Sequence, residues 1–326
     1  MSILISGVGL PFPFSEEEAL AAARKKLSLS SGAVRSGRVH KQSLDLRRGE
    51  LKAVCTVELE LCGDERAFVE RCREPAVRLR SAPALPVPTG EKRLSAPPVV
   101  VGFGPAGMFA ALILAKNGYC PVVLERGSEM SRRDAAVDRY FSGGPLTPDC
   151  NIQFGEGGAG TFSDGKLTTR VGDPLCAFVT DAFLQHGAPA DIAWRQKPHV
   201  GTDLLRGIIR SIRQEIIALG GEVRFNTALT GLKIENGALA GVETTAGDFA
   251  CEQLILAVGH SARDTFAMLH GSGLPLECKP FSVGFRAEHL QTEIDKSLYH
   301  GAAGHPALPK GEYQLSQHVG GGRCVY

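Results

Sequence analysis

No two of the nine cysteines (positions 55, 62, 72, 120, 150, 176, 251, 278 and 324) are spaced Cys-x-x-Cys, and their number is odd. That argues against a disulfide framework, a zinc ribbon and a redox dithiol, and favours the buried, reduced thiols of a cytoplasmic protein. No stretch approaches the ~18 uninterrupted apolar residues of a membrane-spanning helix. The apolar start, Met1 to Phe14, lacks a basic flank and is broken by Gly7, Gly9, Pro11 and Pro13, so it does not read as a targeting segment. Charge of neither sign dominates: 36 Lys and Arg against 35 Asp and Glu leave a formal +1. Electrostatics therefore give no reason to expect nucleic acid or an anionic membrane as partner. No histidines cluster at metal-ligand spacing, so no metal is expected. The single tryptophan, Trp194, is expected to pack rather than to stack on a cofactor.

What is present is enough for a core: 326 residues, 43% hydrophobic and 22% charged, a length suited to about two domains. Residues 1–80 read as a small α+β domain. Ser15 followed by Glu16, Glu17 and Glu18 is a good helix start, and Lys25 and Lys26 suit its end. The stretch from Val54 to Leu61 alternates like a half-buried strand, and Arg66 to Cys72 reads as a short helix. The β-α-β-β-α order predicts a ferredoxin-like arrangement. Residues 81–98 hold Pro83, Pro86, Pro88, Pro97 and Pro98 with Gly90, a semi-rigid linker. The remainder, 99–326, is assigned to one larger α/β domain.

That domain opens on the most specific pattern in the chain. Val99-Val-Val101 leads into Gly102-Phe103-Gly104-Pro105-Ala106-Gly107, then an apolar helix ending at Asn117-Gly118, then Pro121-Val-Val-Leu124 and Glu125-Arg126. This is a strand, a glycine turn, a helix and a second strand ending in an acid, the opening unit of a dinucleotide-binding domain. Gly102 permits the tight turn, Gly104 admits a pyrophosphate and Gly107 lets the helix lie against the sheet. Pro105 falls where a first helical residue lacks no needed N–H. Glu125 stands 18 residues after Gly107, placed to accept from a ribose hydroxyl.

The stretch beyond Arg126 decides which dinucleotide. Residues 127–175 offer no strong strand but a dense glycine segment, FGEGGAGTFSDGK from 154. A helix over 203–219 is predicted, with Leu205, Ile208, Ile209, Ile212, Ile216 and Leu219 on one stripe and Thr202 as cap. Val223 to Phe225 is a strand. Leu232 to Thr244 is a hairpin turned at Asn236-Gly237. Leu254 to Gly259 reads as a buried strand carrying Ala257 and Gly259 at its end. That succession predicts FAD rather than NAD, in an α/β Rossmann-like domain of the two-dinucleotide-fold flavoprotein type.

The remaining candidates each have two readings. Gly157, Gly158 and Gly160 bring backbone N–H groups to a pyrophosphate or flavin edge, or belong to a surface loop. Lys166, beside Asp164, puts positive charge near a flavin pyrimidine, or is simply solvated. His199 precedes a helix start and suits proton transfer, or is a structural loop histidine. His260 follows the apolar strand and is a weak catalytic candidate. Asp264 is expected to cap the next helix, with Arg263 paired to it or reaching a phosphate. Arg126 lies over adenine or forms a salt bridge.

Longer segments carry a resemblance: VVVGFGPAGMFAALILA from 99, NIQFGEGGAGTFSDGKLTTR from 151, KPHVGTDLL from 197, LAVGHSARDTF from 256 and KPFSVGFRAEH from 279. With SLDLRRGELKAVCTVEL from 43 they span nearly the whole chain. The sequence resembles the bacterial, largely uncharacterised FAD-dependent dehydrogenases, also described as NAD(FAD)-utilising dehydrogenases. The resemblance implies an FAD-dependent oxidoreductase acting on a small molecule of unidentified class. NADH or NADPH could serve as electron donor, although no second strand–glycine turn–helix unit is visible. It also implies a departure: family members continue well past the equivalent of Tyr326 with the segment that completes the flavin domain. The chain is accordingly expected to be C-terminally incomplete. Two alternatives stay open, an NAD(P)-dependent dehydrogenase without flavin and a flavin-binding protein without catalysis.

Overall fold

The computed structural model describes residues 1–46, 51–80, 90–162, 167, 169, 171, 173, 175–194, 200–285, 287–320 and 323–325. The chain divides into two compact units. One comprises Met1–Ala82, Trp194–Gln196 and Lys279–Tyr326; the other Pro83–Ala193 and Lys197–Cys278. Where the sequence reading runs one domain from 99 to 326, the contacts thus group the stretch from Lys279 with the first unit.

The first unit is built on β1 (Ser2–Pro11), α1 (Glu16–Lys26), β2 (Val34–Asp45), β3 (Lys52–Leu61), α2 (Glu65–Arg71) and β4 (Val77–Arg80). The sheet order is β2-β3-β1-β4, with β1 antiparallel to both β3 and β4. This is the expected ferredoxin-like topology, completed by a fourth strand. Strand alternation makes the core. Ile3 and Ile5 of β1 and Cys55, Val57 and Leu59 of β3 pack with Ala19 and Ala23 of α1. Helix α1 starts as expected: Ser15 Oγ accepts from Glu18 N at 3.2 Å, and Glu18 Oε2 accepts from Ser15 N at 2.7 Å. Trp194 packs against this core, and its carbonyl accepts from Gln42 N at 3.0 Å. The unit also holds α8 (Gln291–Tyr299) and the pair β12 (Gln317–Gly320) and β13 (Arg323–Val325).

The second unit carries β5 (Val99–Val101), α3 (Pro105–Lys116), β6 (Val122–Leu124), α4 (Met130–Phe141), α5 (Cys176–Gln185), α6 (Thr202–Ala218), β7 (Glu222–Arg224), β8 (Leu229–Glu235), β9 (Ala238–Thr244), β10 (Gly247–Ala250), β11 (Leu254–Leu256) and α7 (Arg263–Gly271). A parallel sheet runs β11-β5-β6-β7, and β8–β10 form an antiparallel meander. The side-chain period of two explains why the central strands are apolar at every position. Val100 and Val123 face one core with α3 and α6. Val99, Val101 and Leu124 face another with Leu229 and Val242 of the meander. The sheet is therefore covered by helices on one side and the meander on the other.

Three local expectations are corrected. Thr202 is the first residue of α6 and does not cap it; the cap position is Gly201, at φ +83°. Leu219 leaves the apolar stripe and is 40% exposed, because the helix ends before it. The strand expected over 254–259 is only three residues long and lies at the sheet edge, with Ile255 and Leu256 exposed. The hairpin turn is as expected, Asn236 and Gly237 both having positive φ. Among the described residues no helix is long and apolar enough to cross a membrane.

Candidate cofactor site

The glycine turn sits at the carboxyl end of β5, between β6 and β11. Gly102 has φ +98°, and a Cβ there would overlap the carbonyl of Ala257. Ala257 in turn donates its N–H to Val101 O at 2.8 Å. A Cβ on Gly107 would fall on the Gly102 carbonyl oxygen. The first and third glycines are thus required by close packing, one against the strand that comes after the meander and the other within the turn itself. Phe103 is fully buried in the core. Gly104, the cap position of α3, offers no side chain to its helix, and Pro105 is the first helical residue. Pro105 and Ala106 are exposed. The N–H groups of Gly104, Ala106 and Gly107 find no backbone partner among the described residues. An open helix start of this kind is suited to an anion.

Glu125 lies directly beneath the turn and is only 4% exposed. Its carboxylate accepts three backbone hydrogen bonds: Oε2 from Phe103 N at 2.7 Å, Oε1 from Gly127 N at 2.8 Å and from Gly155 N at 2.9 Å. A carboxylate offers about four acceptor positions, so one on Oε2 remains for a ligand hydroxyl. The acid therefore does more than the sequence reading assigns it: it ties the first glycine turn to the second glycine segment.

That second segment lies on the first. Gly158, at φ +64°, packs so closely on the start of α3 that a Cβ would meet Gly104 Cα at 2.9 Å and Pro105 Cδ at 3.4 Å. The N–H groups expected to face a pyrophosphate are spent elsewhere, Gly157 N on Phe103 O at 2.8 Å and Gly158 N on Gly155 O at 2.9 Å. The nest reading of these two glycines is corrected accordingly. They shape the cradle by close backbone approach. Gly160 lies in the short 3-10 turn Ala159–Phe162, with open space where a Cβ would sit. Gly259 has φ +73°, is exposed, and also faces open space.

Of the two readings of Arg126, the structure displays the ion pair. Its guanidinium meets Asp264 at 2.8 Å and Asp149 at 3.7 Å, and stands 4.5 Å from the centre of the Phe154 ring. Asp264 is held below its ordinary pKa: burial opposes ionisation, but the Arg126 hydrogen bond and charge outweigh it. Asp264 does not cap α7, whose cap position is Ala262; its partner is Arg126, not Arg263. His260 is exposed, and its hydrogen-bond partner among the described residues is the neighbouring Ser261 hydroxyl, at 3.1 Å. Asp164, Lys166 and His199 lie outside the described residues.

A buried charge network beneath the second glycine segment has no counterpart in the sequence reading. Arg133 and Glu156 are both fully buried, and Arg213 Nε lies 3.0 Å from Glu156 Oε1. Burial pushes the Arg133 guanidinium down to about 10, where it stays charged. Burial also raises the Glu156 carboxyl, against the opposing pull of the Met130 N–H and Arg213. Sequence patterning hides these groups, since an arginine on a helix otherwise marks its solvent face.

The arrangement fits a dinucleotide: an open helix start, a buried acceptor beside it, and a glycine-lined cradle that side chains would fill. Comparison with known proteins agrees. Residues 280–326 match the family model described as FAD-dependent protein, C-terminal domain-like. An uncharacterised protein of Clostridium beijerinckii is 41% identical over 294 residues, 90% of this chain and 55% of that protein. The chain thus spans about half the length of the curated relative it matches. The chain is similar to an FAD-dependent family over residues 280–326 and to an uncharacterised relative over most of its own length. Among solved structures, THI4 of Thermovibrio ammonificans aligns at 17% identity and a TM-score of 0.36, covering 55% of this chain and 64% of that one. Glycine oxidase of Bacillus cereus aligns at 13% and 0.35, covering 54% and 58%. These scores are too low to speak for a shared activity.

Proposed function

We propose that this protein is a cytoplasmic FAD-dependent oxidoreductase of the dehydrogenase class, with NADH or NADPH as electron donor and a small molecule of unidentified class as electron acceptor. One observation carries the reading: helix α3 begins without a side-chain cap, exposed, directly above a buried carboxylate that keeps one acceptor position. The N–H groups of Gly104, Ala106 and Gly107 would hold the FAD pyrophosphate, aided by the positive end of the helix dipole. Glu125 would accept from the adenosine ribose. Gly157 and Gly158 would wall the diphosphate from the far side, while Ala257 and Gly259, at the end of β11, would border the path toward the flavin. When bound, FAD supplies the hydride chemistry through its isoalloxazine ring. Free cysteines throughout the described residues agree with a reducing compartment.

The test is titration of the purified chain with FAD and with NAD, monitored by flavin fluorescence and absorbance near the 450 nm flavin band. Saturable FAD binding, with bleaching by NADH or NADPH, is expected. A chain that binds NAD but stays colourless after FAD addition would favour the flavin-free dehydrogenase instead. FAD bound but reduced by no donor would favour the non-catalytic binder.

A further inference from the structure

We propose that Arg133 and Glu156 are positioning residues for the cofactor: a reciprocal pair that locks the 155–158 loop onto the 102–104 turn. The proposal rests on the reading of that turn as the FAD site. Residues 151–158 form no helix or strand, so their buried backbone groups need other partners. Arg133, in the first turn of α4, supplies them. Its Nε donates to Asn151 O at 2.9 Å, Nη2 to Ile152 O at 2.9 Å, and Nη1 to the carbonyls of Gly155 and Glu156. Its guanidinium lies 4.8 Å from the centre of the Phe162 ring.

Glu156 returns the contact. Its Oε2 accepts from Met130 N at 2.7 Å, the first residue of the same helix, whose cap position, Glu129, provides no side-chain bond. The helix's cation thus holds the loop's carbonyls, and the loop's anion holds the helix's N–H. Two buried charges are a costly way to fix a loop. What the pair secures is on the other side of the loop. With the carbonyls drawn toward Arg133, the N–H groups of Gly155, Glu156 and Gly157 point away from it. They reach Glu125 Oε1, Ser128 O and Phe103 O. The loop thereby fixes both the orientation of the Glu125 carboxylate and the separation of Gly158 from Gly104.

Arg133→Lys keeps the charge but cannot present a planar fork to four carbonyls at once. FAD affinity is expected to fall by roughly 10- to 100-fold, the loss of one or two charge-assisted hydrogen bonds' worth of pre-organisation. Hydrogen exchange in the ligand-free protein separates positioning from general support. The amides of Gly155, Glu156 and Gly157 should lose protection, while those of Val100 and Val123 in the sheet keep theirs. Glu156→Gln, which retains an acceptor for Met130 N, should bind FAD within about threefold of wild type, whereas Glu156→Leu should match Arg133→Lys. Should Arg133→Lys fail to fold, the Gln and Leu pair at 156 decides alone. Wild-type FAD affinity in folded Arg133→Lys or Glu156→Leu, or an equal loss of protection across loop and sheet, overturns the proposal. A wild-type chain that binds no FAD overturns the site reading and this proposal together.

Discussion

Two helix starts, α1 in the first unit and α3 in the second, solve the same problem in opposite ways. Both must dispose of N–H groups that have no intrahelical partner. At α1 the chain closes the end itself, with the Ser15–Glu18 capping box and acids at 16, 17 and 18. At α3 it supplies a glycine without a side chain, a proline and no acid in the first turn. A glycine in place of a capping side chain costs roughly a few tenths of a kcal/mol. Helices α4 to α7 also start without a side-chain cap; at α3 the glycines in addition bring the backbone close, and the Glu125 carboxylate is placed beneath the turn rather than on it. One helix start serves the fold; the other, on the proposed function, is left for a ligand.

Substitutions can break this contrast, the largest effect coming from the turn itself. Gly107→Val would drive a side chain into the Gly102 carbonyl. We expect on the order of 4 kcal/mol of lost stability, at the severe end for single substitutions, together with loss of FAD binding, read by thermal melting and flavin fluorescence. Glu125→Ala would strand the N–H groups of Phe103, Gly127 and Gly155. Each uncompensated donor costs about 1–3 kcal/mol before relaxation, so stability should fall measurably and FAD affinity by roughly 10- to 100-fold. Ser15→Ala should cost only about 1 kcal/mol. It should leave FAD affinity unchanged in the same titration, because the proposed cofactor site is built from residues of the second unit.

The legibility of the molecule tracks the range of the interactions. The 99–126 unit was readable because most of its positions answer to neighbours in sequence: Gly107 packs on the Gly102 carbonyl within one turn and Gly118 ends the helix at φ +79°, although Gly102 itself is held by the distant Ala257. The ferredoxin-like unit was readable from alternation along β3 and from Ser15 and the acids after it at the start of α1. Helix α4 was not, because one of its buried positions is Arg133 rather than an apolar residue. The direction of the N–H groups in the second glycine segment was equally hidden. Glycine density announces close backbone approach but not which partner each amide takes, and here the partners lie at Phe103, Glu125 and Ser128. Arg126 pairs with Asp264, 138 positions away, a contact that no local pattern encodes. The grouping of the chain from Lys279 with the first unit is likewise long-range.

The contrast between the two helix starts is tested most directly by giving α3 the cap it lacks. Gly104 has φ −79°, and the nearest atom to an added Cβ is Gly158 Cα at 3.7 Å, so Gly104→Asp can be accommodated. Its carboxylate would accept the free N–H groups of the first turn and repel a diphosphate. The measurement is thermal melting and FAD titration of this variant beside wild type. The account predicts a melting temperature equal to or above wild type, with FAD affinity reduced by about 100-fold or more, the loss of some 3 kcal/mol of binding. A variant that melts normally and still binds FAD as wild type does would contradict it.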